Sequence, residues 1–220
     1  MKKSVYSIVL SDNVVKAIDD MAYRMGTSRS NLINQILAEQ VSYKTPESEI
    51  KDIFDCMKSI MDANFQIQSQ SSDAMLSIRS PLRYKYRPTI RYRVELLKEV
   101  GENGEFGFLT VSFRTQSKEL IDAFKGFFFV WCQVEKQYLD KDFKGGVEYS
   151  CSDGKVIRKL KLNGRTANNP DSVGKAISDY INLLDSTMKA YFAIIDDPFT
   201  STVKMEKMLL DGIDENIINI

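Results

Sequence analysis

Six residues near the start of the chain set the tightest constraint on what it can fold into. Val5, Ser7 and Val9 alternate with Tyr6, Ile8 and Leu10, the period-two pattern of a short β-strand. Ser11 then offers an N-cap hydroxyl, and Asp12 a first-turn carboxylate that complements the helix dipole. Val14, Val15, Ile18, Met21, Ala22 and Met25 recur at three- and four-residue steps up to Gly26, which suits a left-handed C-terminal cap. Thr27-Ser28-Arg29-Ser30 opens a second helix, with Leu32, Ile33, Ile36, Leu37 and Val41 as its apolar face, reaching Tyr43. One short strand without a partner, followed by two amphipathic helices, cannot bury its own apolar surface or pair its own edges. The segment must dimerise.

Strand length, the Leu10-Ser11 junction and the Gly26-Thr27-Ser28-Arg29-Ser30 turn make residues 3–43 resemble the ribbon-helix-helix family of DNA-binding proteins, the MetJ/Arc/CopG type. The resemblance covers about a fifth of the chain. It implies a homodimer whose paired strands form an antiparallel ribbon in the major groove of duplex DNA. With Tyr6, Ile8 and Leu10 toward the core, the residues facing bases are Lys3, Val5, Ser7 and Val9; the opposite register would expose a tyrosine, an isoleucine and a leucine together. The family usually places polar or basic side chains at these positions. Here only Lys3 and Ser7 qualify, so readout rests on Ser7 at base edges and on valine contacts to thymine methyl groups. Backbone N–H groups at Ser28, Arg29 and Ser30 point out of a helix start, where hydrogen bonding and the dipole both favour a phosphate. Such contacts set affinity and salt dependence, while the strand sets specificity. The plainer readings of the same residues are a ribbon kept for dimerisation alone and an ordinary cap at Ser28; Arg29 discriminates between them.

Lys44-Thr45-Pro46-Glu47 marks a boundary, because the residue before proline leaves the helical region and proline suits the first turn of a new helix. The expected division is therefore residues 1–45 and 46–220. Beyond it, Ile50, Ile53, Phe54, Met57, Ile60 and Met61 mark an amphipathic helix that fades by the polar run 66–73. Ile90 to Leu96, a turn at 101–104 and Phe106 to Arg114 read as a hairpin. Ser117 caps a long helix through Leu120, Phe124, Phe127, Phe128, Trp131 and Val134, and the run Phe127-Phe128-Phe129-Val130-Trp131 predicts burial on most sides. A second hairpin turns at Ser152-Asp153-Gly154, between 147–150 and 155–162. Asn169-Pro170-Asp171 opens another long helix, and a tail after Asp197-Pro198 carries a weak helical signal. The fold class is α+β: a dimeric ribbon-helix-helix, then an α+β domain in the order helix, two strands, helix, two strands, helix.

Charge adds a second theme. The chain has 30 Lys plus Arg and 30 Asp plus Glu, a net of zero that alone argues against a nucleic-acid partner. Neutrality is a cancellation between blocks: residues 1–46 carry +2, 80–100 carry +4, 143–168 carry +4 and 169–220 carry −5. At the second of these, Arg79, Arg83, Lys85, Arg87, Arg91 and Arg93 interleave with Tyr84, Tyr86 and Tyr92, the ingredients of an accessory single-strand or RNA face. Arg91 and Arg93 lie on the polar side of an alternating strand, which favours a solvated sheet face instead. Lys155, Arg158, Lys159, Lys161 and Arg165 would join that face or meet the acidic C-terminal segment across a dimer interface.

Histidine is absent, which removes the commonest general base and the commonest metal ligand. No nucleophile motif and no phosphate loop appears, so no enzyme, metal site or cofactor is expected. The lack of histidine also separates the chain from nickel-sensing ribbon-helix-helix regulators. Cys56, Cys132 and Cys151 form no CxxC pair and read as reduced packing residues. No run approaches the roughly 20 apolar residues of a membrane span, and Met1-Lys2-Lys3 leads into the alternating strand and not a signal core, so a cytoplasmic protein with no membrane partner is expected. The ribbon-helix-helix resemblance implies a transcriptional regulator, a repressor by steric occlusion, binding duplex DNA as a homodimer or higher oligomer. Residues 46–220 would control dimer contacts or sense a protein or small-molecule effector. The same DNA site would equally serve a plasmid or phage partition, replication or transfer-origin adaptor. A third reading makes residues 46–220 an RNA or single-strand binder clasped by the ribbon.

Overall fold

Caps and a single glycine set the helix boundaries at the N-terminus. Helix α1 (Asp12–Arg24) starts after Ser11, whose backbone is extended but whose hydroxyl makes no capping bond. It ends where Gly26 takes φ +63°, with the Gly26 and Thr27 N–H groups bonded back to the Tyr23 and Ala22 carbonyls at 3.2 and 3.0 Å. This is the left-handed cap the sequence predicts, and a side chain at this position would strain it. Helix α2 (Arg29–Gln40) is capped by Ser28, whose hydroxyl accepts from the Asn31 N–H at 3.2 Å. Helix α3 (Pro46–Ile60) has proline in its first turn and reciprocal bonds between Thr45 and Ser48, a capping arrangement that satisfies two orphan donors.

In this computed structural model, which describes residues 5–61, 65–68, 72–84, 87–152, 154–164 and 166–220, the chain divides into two units, Met1–Glu49 and Ile50–Ile220. The division falls in the first turn of α3, four residues beyond the expected boundary. In the first unit α1 packs on α2, burying Ala22, Leu32 and Ala38. Residues 5–10, the expected ribbon strand, carry no regular secondary structure. The physical reason is that a strand is defined by its ladder, and a lone chain offers this one no partner.

The second unit is a six-stranded antiparallel sheet in the order β1-β2-β3-β4-β6-β5 with helices on one face. Its strands are β1 (Gln66–Gln68), β2 (Met75–Pro81), β3 (Thr89–Leu96), β4 (Glu105–Phe113), β5 (Tyr149–Ser152) and β6 (Lys155–Lys161). Its further helices are α4 (Lys118–Leu139), α5 (Pro170–Ala193) and α6 (Pro198–Asp214). The element order is thus helix, four strands, helix, two strands, two helices. It corrects the expected helix, two strands, helix, two strands, helix. The polar run that seemed to end the preceding helix also hid β1 and β2. The weak tail signal is a full helix, capped by Asp197, whose carboxylate accepts from the Thr200 N–H at 3.2 Å.

Strand alternation builds the core. Leu76, Ile78, Ile90, Tyr92, Val94, Leu96, Leu109, Val111, Val156 and Leu160 point inward against Phe124, Phe127, Trp131, Ile177, Ile181, Leu184 and Met188 of the helices. The aromatic run in α4 is one-sided: Phe127, Phe128 and Trp131 are buried, whereas Phe129 is 66% exposed. This corrects burial on most sides. Gly174 lets α5 lie against the backbone of α3, since a Cβ there would sit 2.8 Å from the Ile53 carbonyl oxygen.

Two buried polar networks tie helices to sheet. Arg158 of β6 is 3% exposed and pairs with the wholly buried Glu135 of α4, Nη2 to Oε1 3.0 Å, while its guanidinium lies 4.6 Å from the Tyr180 ring centre. Trp131 Nε1 donates to the Tyr180 hydroxyl at 3.1 Å, and that hydroxyl donates to Glu135 at 3.3 Å. Burial pushes the Glu135 carboxyl up, against the opposing pull of Arg158. On α5, Asp185 accepts from the Tyr92 and Ser80 hydroxyls at 2.9 and 3.0 Å and from Lys189 at 2.6 Å. Arg158, expected on a basic surface, is therefore a core residue, because its position in β6 has the same parity as Val156 and Leu160.

Candidate nucleic-acid interfaces

The N-terminal candidate comprises residues 5–10 and the start of α2. Val5 is 98% exposed and Val9 fully so, while exposure falls through Tyr6 and Ile8 to 38% at Leu10. Tyr6, Ile8 and Leu10 are each less exposed than the valines beside them, and all six residues are open to solvent. Lys3 lies outside the described residues. At the start of α2, the N–H groups of Arg29 and Ser30 make no hydrogen bond among the described residues, so the donors a phosphate would take are open. The Arg29 side chain is differently placed from the expectation. Its guanidinium grips both carboxylate oxygens of Asp19 on α1 as a bidentate fork, and that pairing holds the Asp19 carboxyl below the usual range. Arg29 thus bridges the two helices.

The second candidate is the outer face of the sheet. Register places Gln66, Arg79, Arg91, Ser112, Lys155 and Ser152 in one row across all six strands. The next row is Gln68, Ser77, Arg93, Thr110, Ile157 and Ser150, and the one after it holds Met75, Glu95, Phe108 and Lys159. Apart from Ser77, all these side chains are at least partly open to solvent. Arg91 and Arg93 stand on this face as the alternation predicts. Arg79 and Lys155, both counted among the basic stretches of the sequence, flank them, and Arg114, which the sequence did not single out, follows β4.

The arginines are uncompensated. No carboxylate pairs with Arg79, Arg91, Arg93 or Arg114 among the described residues. Partial burial, and then the charges of Arg79, Arg114 and Arg93, pull the Arg91 guanidinium below its usual value. The Arg93 Nε is buried without a hydrogen-bond partner, as are the Arg158 Nη1, Ser178 Oγ and Thr187 Oγ1. At the other end of the face the charges cancel. Lys159 and Lys161 both pair with Glu148 at 2.6 Å, and Lys161 also donates to the Lys144 and Gly146 carbonyls at 2.9 Å.

The rest of the expected basic face is dispersed. Arg83 and Arg87 lie in the connection between β2 and β3, where Arg87 takes φ +43° and its N–H bonds to the Tyr84 carbonyl at 2.8 Å. Lys85 and Tyr86, like Arg165, lie outside the described residues. The other tyrosines turn inward: Tyr92 is wholly buried, and Tyr84 packs edge-on against Phe192 with its hydroxyl on Glu119. They are core residues, not stacking platforms, and the aromatic ring that does stand on the outer face is Phe108.

Elsewhere, Phe128, Phe129, Cys132, Cys151 and neighbouring residues line a groove of about 310 Å³. Burial raises the Cys132 thiol, while Cys151 is exposed. Among the described residues no group of three or more His, Cys, Asp or Glu side chains is placed to hold a metal ion. No described helix is long and apolar enough to cross a membrane. Comparison of the chain with protein-family models, with curated proteins and with solved structures finds no match.

Proposed function

We propose that the chain is a homodimeric, sequence-specific duplex-DNA-binding protein of the ribbon-helix-helix kind, acting as a transcriptional repressor. The observation that carries this reading is the exposed apolar segment 5–10, set directly ahead of a helix pair too small to bury it. A second copy would supply the missing strand. Pairing would cover Tyr6, Ile8 and Leu10 and turn Val5, Ser7 and Val9 outward as a ribbon of the width a major groove admits. The open N–H groups of Arg29 and Ser30 would then hold flanking phosphates and fix the ribbon's orientation. With +2 on residues 1–46 of each chain, nonspecific attraction is modest, and occupancy would depend on dimerisation and on neighbouring dimers.

The test is recovery of genomic duplex fragments by the purified full-length protein, followed by titration of the recovered duplex against a scrambled one. Ser7→Ala is expected to erode the preference between the two, by about tenfold for a lost base-edge contact. Failure to recover any duplex, or an unchanged preference in Ser7→Ala and in Val5→Ala/Val9→Ala together, refutes the reading.

A further inference from the structure

Cations on the outer sheet face come in two environments. Lys159 and Lys161 are held by Glu148 and have their counter-ion within the chain. Arg79, Arg91, Arg93 and Arg114 have none among the described residues, and Lys155 extends their row. Four arginines brought together on adjacent strands repel one another, and a fold gains nothing from that arrangement by itself. An external anion removes the repulsion.

The shape of the patch narrows the anion. Strands lie about 4.8 Å apart and alternate residues about 7 Å apart along a strand, so Arg79 and Lys155 stand roughly 14 Å apart with Arg91 between them. That is a track of charge and not a single-ion cradle. Arginine presents a planar fork that matches phosphate bidentately and stacks on flat rings. Beside the track stands Phe108, partly exposed and outside the hydrophobic core, with Met75 and Ile157 on the same face. An aromatic ring next to a cationic track is what an unpaired base stacks on while its phosphates are neutralised. A duplex keeps its base faces stacked inside and would leave Phe108 without a partner.

We propose that the outer face of the sheet in Ile50–Ile220 is a binding surface for single-stranded nucleic acid, with Arg79, Arg91, Arg93 and Lys155 on phosphates and Phe108 beneath a base. The surface is separate from the N-terminal ribbon, and the proposal stands whether or not that ribbon reads duplex DNA. Arg91 and Arg93 are its centre. Arg114, exposed at the end of β4, extends the track. Glu95, opposite Phe108 in the register, bounds it.

Binding of the full-length protein to fluorescent oligo(dT), which cannot pair with itself, tests the proposal over a salt series. Arg91→Gln/Arg93→Gln is expected to weaken binding at least tenfold and to make the slope of log affinity against log salt shallower by about 1.4, two contacts at about 0.7 each. Phe108→Ala is expected to weaken binding about tenfold with the salt slope unchanged. Lys159→Gln and Ser7→Ala are expected to bind as the unmodified chain does. Should Arg91→Gln/Arg93→Gln lower the melting temperature, the solvent-exposed pair Arg114→Gln/Lys155→Gln carries the same expectation. No binding of oligo(dT), or unchanged affinity in both double variants, overturns the proposal. So does equal affinity for poly-glutamate, which would make the face a general anion patch, or for a duplex of the same length with the same loss in the variants.

Discussion

The two units of this chain satisfy themselves to different degrees. In Ile50–Ile220 the apolar strand faces and four helices close around one another, and even the buried ions find partners in the same unit: Glu135 with Arg158, Asp185 with Lys189, Tyr92 and Ser80. Among the described residues of Met1–Glu49 three apolar ones are buried, while Val5, Tyr6, Val9, Tyr23 and Val41 stand at 74% exposure or more. The ion pair joining its helices, Asp19 with Arg29, is solvent-exposed. The contrast separates two origins of stability. One unit folds on contacts within the chain; on the function proposed above the other draws on a second chain, and its stability would then be inseparable from protein concentration.

The largest effect is expected where the self-contained unit is most tightly closed. Arg158→Met leaves Glu135 as an uncompensated buried charge and should cost about 3–5 kcal/mol, read as a lower urea midpoint that does not change with protein concentration. Adding Glu135→Gln should restore a large part of that loss, because the charge without a partner is then gone. A concentration-dependent loss in Arg158→Met would break the comparison, placing this network at an interface between chains.

Leu32→Ala probes the other side. Leu32 is 1% exposed in a unit with few other buried residues, and a thin, half-covered core collapses readily into the space left. The expected cost is about 2 kcal/mol, the low end for such a truncation. The signature is not its size but its dependence on concentration: raising the protein concentration should recover much of the lost helicity in this variant and none in Arg158→Met. Equal behaviour of the two would show that Met1–Glu49 is stable without a partner.

What the sequence made legible follows the same divide between local and distant causes. Caps at Ser28, Ser117 and Asn169, the glycine at position 26 and the proline at 46 act within a few residues, and the helices start and stop where these predict. The β3–β4 hairpin was readable because its alternation is long and its turn is short. Strand β2 was not, since Ser77, Arg79 and Ser80 make it look polar until the sheet supplies β1 and β3 as neighbours. The candidate sites divide similarly. Alternation alone sends Arg91 and Arg93 to the solvent face, but placing Arg79 beside them needs the register across strands. The Tyr–Arg interleaving misled for the converse reason: neighbours in sequence on a strand face opposite sides, so Tyr92 sits in the core while Arg91 and Arg93 stand outside. The pairing of Arg29 was hidden for the same reason, since its partner, Asp19, lies ten residues back on the preceding helix.

The smallest predicted effect asks whether internal pairing in Ile50–Ile220 extends to its surface. Hydrogen bonds from Lys159 and then Lys161 hold the Glu148 carboxyl at about 2, against about 4.3 for an unfolded glutamate. The folded value is the lower one, so the unfolded chain takes up the proton first as acid is added. The pair's contribution is then full above about pH 4.3 and is lost as the pH falls toward 2. Glu148→Gln removes that contribution at every pH. Its thermal midpoint should therefore lie below that of the unmodified chain at neutral pH, and the gap should close between pH 4 and 2. The gap should be small, because half of the arrangement survives the change: Lys161 keeps the Lys144 and Gly146 carbonyls, and Lys159 is open to water. Arg91→Gln, made as a reference on the unpaired half of the same face, should leave the acid limb of the curve where it was, since no carboxylate titrates against it. If Glu148→Gln follows the unmodified chain at every pH, the lysine half of the sheet is as unpaired in solution as the arginine half, and the distinction between the two ends of the face is lost.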